Sequence, residues 1–128
     1  MPPLTTDLYA LNGPALTRLA YALHLAPGGT RQAGARFLMP CPSAADLFLP
    51  WCPHADLAQA DAVFRQLRAH GFETMTQARE RRGVCQAWSL DTTEPIILRE
   101  WTLDSPCAHQ ERSEAMALLR VTVLALAG

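Results

Sequence analysis

Lysine is absent from this chain of 128 residues, and all eleven basic residues are arginine. With alanine and leucine dominating the apolar set, that bias points to a GC-rich genome, and so to a bacterium or its phage. Charge of either sign is scarce: charged residues make up 18% of the chain and the formal net charge is -1. Acids and bases are spread over the whole length, so the basic footprint that a nucleic-acid partner requires does not form. No apolar run approaches the roughly 20 residues that span a bilayer. The start of the chain, Met1 to Asp7, has neither the basic region nor the apolar stretch of an export signal, so a cytoplasmic location is expected. Cys41, Cys52, Cys85 and Cys107 are too scattered to read as a disulfide framework, which favours free thiols.

Familiar catalytic signatures are missing as well. There is no Gly-x-Ser-x-Gly, no phosphate loop, no dinucleotide fingerprint and no His-Glu-x-x-His, so those enzyme classes receive no support. No internal repeat or low-complexity tract is visible. What the chain does have is apolar content: 49% of its residues are hydrophobic, enough to offset chain entropy in a length that fits one domain spanning residues 1–128.

Asn12-Gly13-Pro14 places a capping side chain ahead of a first-turn proline, and Leu16, Leu19, Ala20 and Leu23 follow at helical spacing until Pro27-Gly28-Gly29. Ala35 to Met39 reads as a short strand between prolines. Residues 40 to 54 contain Pro40, Pro42, Pro50 and Pro53 with Phe48 and Trp51, which predicts an irregular, well-packed connection. Asp56 opens a second helix with Leu57, Ala60, Phe64 and Leu67 on one stripe and His70-Gly71 as its stop.

From Phe72 onward the period shifts from helical to alternating. Phe72–Thr76, Val84–Leu90 and Ile96–Trp101 read as strands joined by Arg79–Gly83 and Asp91–Pro95, an antiparallel meander. In the middle strand Val84, Gln86, Trp88 and Leu90 share one face and Cys85, Ala87 and Ser89 the other. The closing helix is predicted from near Gln110 through Met116, Leu119, Val123 and Leu126, with Leu118, Val121 and Leu124 making it apolar almost all round. Such a perimeter requires a central position. The elements together predict an α+β fold, in which an antiparallel meander of three to four strands packs with three helices as an αβ sandwich around a central apolar C-terminal helix.

This order of elements resembles the phage ABA sandwich domain, a family of small phage and prophage proteins. Asp56-Leu57-Ala58-Gln59-Ala60, Val63-Phe64 and Gly71-Phe72 are similar to the family's Asp-initiated, Ala-rich helix that ends at a Gly-aromatic pair. Ala115 to Arg120 and on to Ala125 is similar to its closing helix. The chain departs from the family at Cys52-Pro53-His54-Ala55, where Tyr-Ser-Thr is usual. The resemblance implies a fold and a phage or prophage origin, and carries over no reaction and no catalytic residue.

Three candidate sites follow from residue chemistry. Cys52-Pro53-His54 and Cys107-Ala108-His109 supply two thiols and two imidazoles, a full tetrahedral zinc set if the loops converge, although zinc ligands are normally spaced more widely. Without convergence the cysteines are small apolar residues and the histidines cap helices or face solvent. Arg79, Arg81 and Arg82 fall in a predicted turn and could clamp a phosphate or an acidic surface, or simply keep that turn solvated. Phe48 and Trp51, on a proline-stiffened stretch, are candidate anchors for a partner, against a role in covering the core edge. The expectation is a non-enzymatic protein that binds a protein partner, homo-oligomerisation remaining open, with a metal-binding or hydrolytic domain built on the Cys-x-His pairs as the alternative.

Overall fold

The computed structural model describes residues 7–128, with the side chain of Ala45 excepted; residues 1–6, where the lack of an export signal was read, lie outside them. The protein is α+β, with three helices packed against one sheet of three strands and another of four.

Helix α1 (Gly13–Ala22) starts where the sequence signals it, because the Asn12 side chain accepts a hydrogen bond from the Ala15 N–H. Gly13 allows the first turn to approach its neighbours closely. A Cβ there would lie 2.7 Å from the His54 ring. Helix α2 (Leu57–Arg65) is capped by Asp56, which accepts from the Gln59 N–H at 3.0 Å. It tightens into a 3-10 turn over Gln66–His70 and stops at Gly71, whose φ of 86° is left-handed.

Residues 40–54 correct the expectation of an irregular connection. Strands β1 (Arg31–Ala33), β2 (Arg36–Cys41) and β3 (Ala44–Pro50) form an antiparallel sheet in the order β1-β2-β3. The prolines are accommodated rather than disruptive. Pro40 lies past the last β1 pairing and at the point where the β2–β3 register shifts, Pro42 occupies the turn, and Pro50 ends its strand.

The meander is present as predicted, with β4 (Phe72–Ala78), β5 (Arg82–Ser89) and β6 (Ile97–Thr102) paired antiparallel. The fourth strand of the expected three to four is β7 (Gln110–Glu111), which runs parallel to β6 rather than antiparallel and occupies the expected start of the closing helix, so that helix begins later. On β5, Cys85 and Ala87 are buried while Val84, Gln86 and Trp88 on the other face are half-buried. Gly83 sits opposite Trp101, whose indole Nε1 would lie 2.6 Å from any Cβ there.

Helix α3 (Glu114–Ala127) is capped by Ser113, whose hydroxyl accepts from the Met116 N–H at 3.2 Å. It is the structural centre. Leu118 and Val121 join Ala60, Phe64, Leu67, Cys85 and Ala87 in a cluster under the four-stranded sheet. Leu119 and Val123 join Leu16, Ala20, Phe37, Trp51 and Val63 in a second cluster toward the three-stranded one. Two cores on opposite sides of one helix explain why it is apolar all round. Among the described residues no helix is long and apolar enough to cross a membrane.

Candidate partner-binding surface

The three-stranded sheet ends on β3, whose outer edge pairs with no strand among the described residues. Along that edge Leu47, Phe48 and Leu49 are 59%, 37% and 41% exposed, three large apolar residues in succession. Unpaired edges in monomeric proteins are usually guarded by charge, proline or a covering element, since their free N–H and C=O groups accept a further strand. Within β3 the residues of that kind are Asp46 and Pro50, at the two ends of the apolar run.

The pairings Ala33–Arg36, Arg31–Leu38 and Pro40–Phe48 put Arg31, Arg36, Leu38 and Phe48 on one outward face. The Arg31 guanidinium carbon lies 4.2 Å above the Phe48 ring, a cation–π contact that holds both side chains in place. Trp51 does not share this surface. It is 2% exposed, meets Phe37 edge-on with centroids 6.1 Å apart, and donates its backbone N–H to the Phe37 carbonyl at 2.8 Å. The expectation that Phe48 and Trp51 act as joint anchors is corrected: Phe48 faces out, and Trp51 is core.

The two Cys-x-His units are not brought together. Cys52 and His54 lie between β3 and α2, where the Cys52 N–H donates to Gln59 Oε1 at 2.6 Å and His54 Nδ1 is 2.7 Å from Thr17 Oγ1. Burial lowers the His54 pKa and raises that of the Cys52 thiol, to which Asp56 adds repulsion. Cys107 and His109 are exposed in the segment leading to β7, where the Cys107 thiol donates to Gln110 Oε1 at 3.4 Å. Among the described residues no group of three His, Cys, Asp or Glu side chains is placed to hold a metal ion. The four proposed zinc ligands, Cys52, His54, Cys107 and His109, therefore form no common set.

Arg79, Arg81 and Arg82 also separate. Arg81 is engaged with Asp104 through Nε at 3.1 Å and Nη2 at 2.6 Å to Oδ1. That hydrogen-bonded pairing lowers the Asp104 pKa and raises the Arg81 pKa. Arg79 and Arg82 line an open groove of about 620 Å³ with Gln77, Glu100 and Gln110, where the Glu100 carboxylate offsets part of their charge. No three-arginine clamp results.

Sequence reasoning missed a buried charge cluster. Glu111 Oε1 accepts from Arg99 Nε at 3.0 Å and from Arg120 Nε at 2.7 Å, while Arg120 Nη1 donates to the carbonyls of Leu8 and Leu11. The signals were present in the sequence: Arg120 interrupts an otherwise apolar helix, and Arg99 alternates with Ile97 and Trp101 on the inner face of β6. These groups join β6, β7, α3 and the segment before α1, and their role is architectural. Comparison of the chain with family models, with curated proteins and with solved structures gives no match to any of them.

Proposed function

We propose that the protein acts by binding a protein partner, which contributes an extended segment to the free edge of β3. The observation that carries this reading is the exposed run Leu47-Phe48-Leu49 on an unpaired strand. Main-chain pairing at such an edge supplies affinity, and side chains alternating along the added strand supply specificity. The neighbouring face, with Arg31 stacked on Phe48 and Arg36 beside it, favours a segment that alternates apolar with acidic residues. The resemblance to small phage and prophage proteins supports binding in a bacterial cytoplasm, as a non-enzymatic activity.

The test is site-specific photo-crosslinking with p-benzoylphenylalanine in place of Phe48, and at Met75 on the four-stranded sheet as control. A discrete adduct from position 48, absent from position 75 and lost in Leu47→Lys, is expected. An adduct of twice the chain's mass would identify the partner as a second copy. No adduct at position 48, or the same adducts from both positions, would overturn the reading.

A further inference from the structure

At the other end of the three-stranded sheet, α1, the start of β2 and the end of β3 enclose a cavity of about 350 Å³, within the range of small-molecule sites. We infer that this cavity binds a small organic anion with an apolar body and a carboxylate-type head. The inference does not rest on partner binding at β3.

Its apolar wall is preformed. Phe37 and Trp51 line it with the little surface the core leaves them, 5% and 2%, and meet at 90°, so what they present is fixed by the core behind it rather than assembled on binding. With Pro14, Ala35 and Pro50 completing it, such a rigid apolar wall takes an apolar body at little entropic cost. Next to this wall stands His54, whose ring is set by Thr17 at 2.7 Å and by the bare Cα of Gly13. The imidazole is thereby held as a fixed polar edge of the cavity.

The sign of charge at the mouth selects the ligand. Arg18 and Arg36 both line the cavity, and none of its lining residues is Asp or Glu. Neither guanidinium takes part in any salt bridge among the described residues, whereas Arg65, Arg68, Arg81, Arg99 and Arg120 each have a carboxylate partner. A chain with eleven basic and twelve acidic residues has acids enough to neutralise this mouth. Two guanidiniums outside every salt bridge among the described residues, both lining one cavity whose described lining includes no acidic side chain, present planar donors suited to a carboxylate.

Benzoate and benzamide separate this inference from simple apolar adsorption, because they share a shape and differ in charge. Titration of the 15N-labelled protein would follow the Trp51 indole N–H, assigned from Trp51→Phe. Benzoate is expected to give saturable shifts at this resonance, with benzamide at least about tenfold weaker, as loss of charge-assisted hydrogen bonds requires. The double variant Arg18→Gln, Arg36→Gln alters exposed side chains and should keep the melting temperature while reducing benzoate to the benzamide level. Leu47→Lys, which charges the β3 edge and lies outside the cavity lining, should leave benzoate binding unchanged, so loss of partner binding at β3 and loss of this site are told apart. No saturable benzoate shift, equal affinity for benzamide, or full benzoate affinity in the double variant would overturn the assignment.

Discussion

Arg120 Nε donates to Glu111 Oε1 across 2.7 Å in a region where only 5% and 7% of the two side chains remain exposed. Arg99 approaches the same oxygen from the sheet side at 3.0 Å, so one carboxylate faces two guanidiniums. Removing the carboxylate leaves both cations buried without compensation, which typically costs about 3–5 kcal/mol. Glu111→Gln keeps the shape and deletes the charge, and urea unfolding should show a loss of that size. Arg99→Met should cost less than Arg120→Met, because the Arg120–Glu111 pair that remains is neutral and its backbone acceptors are kept. The opposite order would show that Arg99 is the principal partner of Glu111.

Phe48 and Trp51, three residues apart, should respond oppositely to truncation. Trp51→Ala opens a cavity in the cluster with Leu16 and Leu119 and should cost about 3–5 kcal/mol. Phe48→Ala lies on the outer face and should change stability by no more than about 0.5 kcal/mol. Thermal and urea melts of the two variants decide this, and comparable losses would place Phe48 in the core. Leu119→Asp, which puts a charge at a fully buried position of α3, should leave no cooperative transition.

All four cysteines are free and differ in environment. A hydrogen bond with the Ser43 side chain lowers the pKa of the Cys41 thiol, while burial and then the Glu114 charge push Cys85 up to about 12. Thiolate is the reactive form. Ellman's reagent at neutral pH should therefore modify Cys41 and the exposed Cys107 first and reach Cys85 only after unfolding, with four thiols counted in denaturant. Fewer than four in freshly prepared, non-reduced protein would reveal a disulfide.

His54 gives stability a pH dependence whose sign is fixed by its burial. Its folded pKa is lower than the unfolded value of about 6.5, so the unfolded chain takes up the proton first. The contribution is fully present above about pH 6.5 and is lost as pH falls through the folded pKa. His54→Asn, which keeps a polar group near Thr17 without a titrating ring, should flatten the unfolding free energy over that acidic window. An unchanged slope would show that other groups carry it.

Sequence patterns located some elements closely because their signals are local. Asp56 and Gly71 bound the second helix through a side-chain cap and a left-handed residue, and both operate within one turn of chain. The alternation from Phe72 to Trp101 likewise carried its own register. The hairpin of β2 and β3 was hidden because Pro40, Pro42 and Pro50 are breakers by composition, and only the pairing shows that each lies where a ladder tolerates it. Of the candidate site, Phe48 was recognisable as an aromatic on a stiff segment. Its separation from Trp51 depends on strand alternation that those prolines obscured. Whether Cys52 and Cys107 meet is a matter of tertiary distance, on which spacing along the chain is silent. Strand β7, two residues long, offers no period to read.

Because α3 supplies one side of both apolar clusters, neither cluster closes until the last element in sequence order has joined the others. The hydrogen bonds from Arg120 to Leu8 and Leu11 tie together positions 112 and 109 residues apart. Chain closure over such separations must occur before the contacts that reward it, which slows folding relative to locally wired helical bundles. Earlier segments can sample their hairpins and helix turns but have no partner surface to retain them. Folding should then be a single late event, with the exposed β3 edge unshielded in every species that precedes it and most at risk of mispairing during that delay.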